Sequence, residues 1–169
     1  MVDEHTESSL RAAAAYFRAG LRTGVVPQEE AVRWADRAIE RLEHPPVALL
    51  DVSLARPGAV NDVLAALSAL LGGPGADEPP ESARALLDRL RADLASGRRT
   101  LDATVACLYR VSYAVALPED LRWEIVALED DYSLAVERIV GDVGAMEAQV
   151  RAWLARFDGA AADVLGPDA

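Results

Sequence analysis

The side chains of this 169-residue chain that could carry acid–base or charge-pairing chemistry are concentrated in one acidic run. Glu129, Asp130 and Asp131 are consecutive, and Glu124 precedes them on the same predicted helix. Consecutive residues fan around a helix, so these carboxylates do not converge on one substrate as a general acid and base must. They could instead present a negative surface to a basic protein partner, or form an ordinary solvated helix face.

Two tryptophans could add to such a surface. Trp34 and Trp123 fall at the edges of the apolar stripes of their helices, whereas Trp153 belongs to the core stripe of its own helix. Aromatic residues at these edges can anchor an interface, and they can equally pack at the boundary of a core. We therefore predict partner-binding residues at Trp34, Trp123 and the acidic run.

Patterns typical of metal, nucleophile and cofactor sites are absent from the sequence. His5 and His44 are the two histidines, and neither has a second ligand at a suitable helical spacing. The glycine-rich stretch 72–75 lacks the lysine and the spacing of a phosphate-binding loop. Cys107 lies in an apolar run and is interpreted as a buried thiol. We expect no cofactor, and the sequence favours a non-catalytic protein without deciding the matter.

Composition narrows the class of partner. Hydrophobic residues make up 51% of the chain and charged residues 27%, as in globular proteins, and the formal net charge is −11 although all 17 basic residues are arginines. A negative field repels phosphate backbones, so we expect no nucleic-acid partner and favour a basic protein partner. The sequence has no span long and apolar enough for a membrane and no secretory signal pattern, so we expect a cytoplasmic protein without membrane contact.

Helical periodicity predicts an all-α protein, a single-domain bundle of seven to eight helices. Proline and glycine punctuate the predicted helices. The helices are expected over residues 8–22, 27–42, 47–54, 60–71, 83–94, 101–117, 118–139 and 143–157.

The same pattern suggests how the domain is organised. Residues 1–7 are expected to be a flexible N-terminus, residues 8–158 the helical domain, and residues 159–169 a flexible tail. The segment 72–80, rich in glycine and proline, is a candidate hinge between two half-bundles.

The predicted helix 101–117 is apolar nearly all round, which is typical of a helix at the centre of a bundle. Arg110 is its one charge after the first turn. If the protein binds a small molecule, we expect a pocket against this helix that uses Tyr109, Arg110 or Tyr113.

Residues 24–54 carry a helix, a proline break and a short helix, marked by Trp34-Ala35-Asp36, Ile39 and the stretch Pro46 to Leu54. This segment, about a fifth of the chain, resembles the N-terminal region of short, uncharacterised bacterial helical proteins. Some of those resemble the small acidic immunity proteins of toxin systems. The resemblance implies a binding role and no catalytic residue.

Three hypotheses for function follow. The leading one is a non-catalytic protein-interaction module, of the immunity or adaptor type, that binds a basic protein partner. The alternative is a small-molecule-binding or catalytic helical bundle with its pocket near Arg110. The third is a structural homo-oligomer in which the apolar stripe of residues 143–157 pairs with a second copy.

Overall fold

The structure, a computed structural model, describes residues 4–165, and its regular elements are helical with no strand in that range. None of these helices combines the length and the apolar character needed to cross a lipid bilayer. The α-helices are α1 (Glu4–Thr23), α2 (Gln28–Arg41), α3 (Val47–Ser53), α4 (Val60–Leu70), α5 (Pro80–Ala95), α6 (Leu101–Ala114), α7 (Glu119–Val136), α8 (Val143–Leu154) and α9 (Ala160–Leu165). One 3-10 turn, Ala155–Phe157, links α8 to α9.

The predicted all-α bundle is confirmed. Among the described residues, eight helices have seven residues or more, as expected, and α9 is a short ninth helix of six residues. Buried side chains from every helix join one hydrophobic cluster. α1 packs against both α4 and α5, which lie on either side of the 72–80 loop, so the two halves share one core. A hinge in that loop stays a prediction.

The centre of the bundle is α5, not α6 as the apolar run 101–117 predicted. α5 packs against α1, α6, α8, α9 and the 3-10 turn, and its side chains are buried on more than one face. α6 lies at one side of the bundle, where Tyr113 is 66% exposed. The prediction is wrong because the run 101–117 includes two tyrosines, whose hydroxyl groups allow their rings to face water.

α1 begins at Glu4, four residues before the predicted start at Ser8. Acidic residues favour the positive end of a helix dipole, and Arg11 donates to Glu7 one turn earlier on the same helix. Residues 4–7 are therefore helical, the expected flexibility of the N-terminus stays a prediction, and residues 1–3 lie outside the described range.

The tail predicted to be flexible from residue 159 forms α9 as far as residue 165. Val164 is buried, and Asp88 of α5 accepts a hydrogen bond from the backbone N–H of Ala161 in the first turn. Arg91 of α5 also pairs with Asp158, just before the helix. These tertiary contacts order a segment that is too short to be helical alone. Residues 166–169 lie outside the described range.

Candidate functional site

The strongest candidate for a binding site is a cleft between α2 and α9, with α5 and α1 forming its floor. Its volume is about 510 Å³, within the usual size of small-molecule sites. Five arginines line it, and we call it the arginine cleft. They are Arg33, Arg37, Arg89, Arg91 and Arg98.

The positive charge of the cleft exceeds its negative charge. The five arginines face two lining carboxylates, Glu30 and Asp88, and two further carboxylates, Asp93 and Asp158, pair with these arginines from outside the lining. Within residues 4–165, neither Arg33 nor Arg37 forms a hydrogen bond or an ion pair. These two side chains lie one turn apart on α2, so both guanidinium groups are available to a ligand at the same wall of the cleft.

The floor of the cleft is a fixed ion-pair network. Arg89 donates to both carboxylate oxygens of Glu30, each at 2.7 Å, and its Nε donates to Asp93 at 2.9 Å. The hydrogen bond from Arg89 holds the pKa of Glu30 below its ordinary value, against the opposing effect of burial. Arg98 also pairs with Asp93, at 3.0 Å. Arg89 therefore joins α2 to α5 across the cleft.

Beside the free arginines, the cleft has an aromatic wall. The rings of Trp34 on α2 and Phe17 on α1 lie 4.9 Å apart between centroids, tilted by 31°. Tyr16 lies next to them, and burial raises its pKa to about 12, partly offset by the charge of Arg89. The cleft thus offers both cations and a flat apolar surface to a ligand.

A second hollow, of about 620 Å³, lies between α3 and α4. Its charged lining residues are Asp51, Arg56 and Asp62, and the rest of the lining is alanine and one leucine. It has no aromatic wall and no group of like charges, so the arginine cleft is the better candidate.

One residue of the arginine cleft, Trp34, was among the candidate binding residues predicted from the sequence. The arginines around it were not predicted. The cleft arginines come from three separated segments, 33–37, 89–91 and 98, and only the fold brings them together. The local signal was the pair Arg33 and Arg37, spaced one turn apart beside a tryptophan.

The structure directs the side chain of Arg110 inward and leaves Tyr109 and Tyr113 exposed, and a pocket formed by the three residues stays a prediction. Arg110 donates from Nε to the carbonyl oxygen of Thr23 at 2.7 Å and from its terminal nitrogen to Cys107 Sγ at 3.0 Å. It therefore fixes the turn between α1 and α2. The two tyrosine rings lie on the exposed side of α6, 4.8 Å apart between centroids.

Cys107 is buried, as predicted from its apolar run. Its sulfur accepts hydrogen bonds from Arg99 and Arg110, each at 3.0 Å. Arg99 also donates to the backbone carbonyl oxygen of Val25 at 2.9 Å. The thiol is thus part of the junction between α6 and the turn after α1, and two guanidinium groups lie around it that the sequence did not indicate.

The predicted acidic residues fall into two groups. The carboxylate of Glu124 already has partners within this chain, because it accepts a hydrogen bond from the indole N–H of Trp153 at 2.6 Å and forms an ion pair with Arg156. The hydrogen bond from Arg156, and next the one from Trp153, holds its pKa below the ordinary value. Asp130 and Asp131 are exposed and form no ion pair within residues 4–165.

Glu129 and Trp123, the other predicted partner-binding residues on α7, are also accessible. Glu129 is half-buried and accepts a hydrogen bond from Ser133 Oγ at 3.2 Å. Trp123 is 63% exposed, and its indole N–H lies 3.4 Å from Glu119. Both remain available to a partner.

The apolar stripe of residues 143–157 is mostly internal. Met146, Val150, Leu154 and Phe157 are buried in the core of this chain, whereas Val143 is largely exposed. Most of the stripe is therefore not on the surface. Homo-oligomerisation stays a prediction.

A comparison with protein-family models, with curated proteins and with solved structures finds no match for this chain. The resemblance of residues 24–54 to short bacterial helical proteins therefore stays a prediction.

Proposed function

We propose that the protein binds a small anionic molecule that has a flat apolar part, and that the arginine cleft is the binding site. The observation that carries this proposal is the position of Trp34 between Arg33 and Arg37 on one wall of the cleft. A carboxylate or phosphate group accepts charge-assisted hydrogen bonds from guanidinium groups, which are rigid, forked donors. The flat part would pack on the indole ring.

The concentration of arginine supports the proposal. Five of the chain's 17 arginines line this one cleft, in a protein whose net charge is −11. Arg89, Arg91 and Arg98 are paired with carboxylates. Arg33 and Arg37 are like charges one turn apart on α2 and so repel each other. An anionic ligand would relieve that repulsion and so bind with the favourable energy of two charge-assisted contacts.

The floor of the cleft is already ordered before a ligand binds, which also supports the proposal. Arg89 is already held by Glu30 and Asp93, so the ligand need not order it. A rigid site loses less conformational entropy on binding than a flexible one, which raises affinity. Of the cleft arginines, Arg33 and Arg37 are those without an ion pair within residues 4–165, and they are the cations proposed to bind the ligand.

Binding can be tested with naphthoate, which joins a flat ring to a carboxylate, and with the uncharged naphthyl methanol. The proton signals of the three indole N–H groups report the site, and Trp34→Phe identifies the signal of Trp34. We expect naphthoate to shift that signal and to bind at least about tenfold more tightly than the uncharged analogue.

The matched variants separate the cleft from general charge. Arg33→Gln combined with Arg37→Gln should weaken naphthoate binding at least about tenfold. Arg122→Gln, which removes an exposed arginine on α7, should leave the affinity unchanged. The proposal is wrong if naphthoate shifts the signals of Trp123 or Trp153 instead, or if the double variant binds as tightly as the wild type.

A further inference from the structure

The exposed large hydrophobic side chains are concentrated in one stretch of the chain. Of the ten large hydrophobic side chains that are exposed within the described part of the chain, eight lie between residues 109 and 143, on α6, α7, the turn after α7 and the start of α8. Exposed apolar side chains mark an interaction surface when they are contiguous, as the rings of Tyr109 and Tyr113 are. None of the eight lines the cleft.

Two tyrosines stand out in this region. Tyr109 and Tyr113 are 42% and 66% exposed, one turn apart on α6, and their rings are tilted by 57° to each other. The two rings therefore contact each other and are both accessible to solvent. Aromatic faces of this kind attract cations because the ring quadrupole is negative at the face.

Uncompensated negative charge lies beside these rings. α7, which carries Glu129 and Asp130, packs against α6. The pKa of Tyr109 is raised, first by its interaction with Tyr113, then by burial, and further by the charges of Glu129 and Asp130. Neither carboxylate has an ion pair within the described part of the chain. Arg110, the nearest arginine along α6, directs its guanidinium group to Thr23 and Cys107 and so does not neutralise them.

We propose that Tyr109, Tyr113, Glu129 and Asp130, here called the tyrosine face, dock an arginine- or lysine-rich segment of a partner protein. Carboxylates pair with the guanidinium or ammonium groups of such a segment, and the tyrosine rings pack against the same cations and their aliphatic stems. The net charge of −11 also accelerates the encounter with a basic partner. This second surface shares no residue with the arginine cleft and does not depend on ligand binding there.

A labelled hepta-arginine peptide tests the tyrosine face, with a glutamine peptide of the same length as the uncharged probe. Fluorescence anisotropy should show binding of the arginine peptide that weakens as salt concentration rises, and no binding of the glutamine peptide. Tyr109→Leu with Tyr113→Leu, and separately Glu129→Gln with Asp130→Asn, should each lower the affinity at least about fivefold. These positions are exposed or half-buried, and circular dichroism checks that each variant is folded.

The matched control is Glu40→Gln with Glu43→Gln, which removes two exposed carboxylates from the α2 region and the same net charge. It should change the affinity less than about twofold. An equal loss of peptide affinity in this control would show that binding depends only on the net charge of the protein and would overturn the proposal. A self-association that the tyrosine variant abolishes, with peptide binding unchanged, would also overturn it and assign the face to a second copy.

Discussion

Arg18 and Glu78 form a buried ion pair between α1 and the loop that precedes α5. The Nε of Arg18 lies 2.8 Å from Glu78 Oε1, and both side chains are at least nine-tenths buried. Arg18 also donates to the backbone carbonyl oxygen of Ala76, and Arg22 reaches Glu78 at 3.2 Å. The glycine- and proline-rich loop, a candidate hinge in the sequence, is thus fastened to the first helix at two points.

Replacing Glu78 should strongly destabilise the protein. Glu78→Gln leaves the guanidinium group of Arg18 buried without its counter-charge, which costs about 3 kcal/mol of unfolding free energy. Glu7→Gln is the matched control, because Glu7 pairs with Arg11 on the exposed side of α1 and should cost less than about 1 kcal/mol. Urea unfolding measures both. Equal costs for the two variants would mean that the loop is not fastened in solution.

Tyr16 should make the protein sensitive to alkaline pH. Burial raises its pKa from 10.0 to about 12, so the folded state holds the phenol proton more tightly than the unfolded state does. This contribution is complete below pH 10.0 and is lost as the pH rises towards 12, up to about 3 kcal/mol in all. Unfolding free energy measured across that range should fall less steeply in Tyr16→Phe.

The comparison for this prediction is Tyr113→Phe, which removes a phenol that is 66% exposed. It should leave the alkaline loss of stability in place, and a tyrosinate absorption titration should still show the phenol of Tyr16, whose pKa is raised to about 12. If Tyr16→Phe and the wild type lose stability equally, Tyr16 is not the group responsible.

The sequence could predict the helices, because their stability depends on apolar stripes and on proline and glycine breaks that are visible locally. α9 could not be predicted in this way, since its order comes from Asp88 of another helix and from the burial of Val164. The arginine cleft could not be predicted from the sequence for a similar reason. Arg89 and Arg98 are far from Trp34 in the chain, and no local spacing relates them.

Asp88 should control whether α9 stays docked. Its Oδ2 accepts the backbone N–H of Ala161 at 3.0 Å, and its Oδ1 holds Arg91, which also reaches Asp158. Asp88→Ala should lower the free energy of local opening of α9 by about 1–2 kcal/mol. Hydrogen exchange of residues 160–165 measures this opening.

Naphthoate affinity does not report this opening, because Asp88→Ala also removes a carboxylate from the lining of the arginine cleft and so favours an anion. Asp158→Ala is the control, since Asp158 is exposed and contributes only a surface ion pair. Unchanged exchange of residues 160–165 in Asp88→Ala would show that burial alone holds α9 in place.

Gly24 should tolerate a side chain less well than Gly97, although both have left-handed backbone conformations, with φ of 70° and 73°. Alanine in that conformation costs about 1–2 kcal/mol at either position. At Gly97 a Cβ would meet no atom within 4 Å, whereas at Gly24 it would lie 3.3 Å from the terminal nitrogen of Arg110. Gly24→Ala therefore also disturbs the hydrogen bond from Arg110 to Thr23, and should cost about 1 kcal/mol more than Gly97→Ala.

A double-mutant cycle with Arg110→Ala isolates this extra cost. In the Arg110→Ala background the two glycine substitutions should destabilise the protein equally, because the backbone strain remains and the crowded guanidinium group is gone. A difference that persists in that background would place the extra cost of Gly24→Ala elsewhere in the turn between α1 and α2. Chemical unfolding of the six proteins in the cycle measures these costs. If Arg110 causes the extra cost of Gly24→Ala, the difference between Gly24→Ala and Gly97→Ala is present in the wild-type background and absent in the Arg110→Ala background.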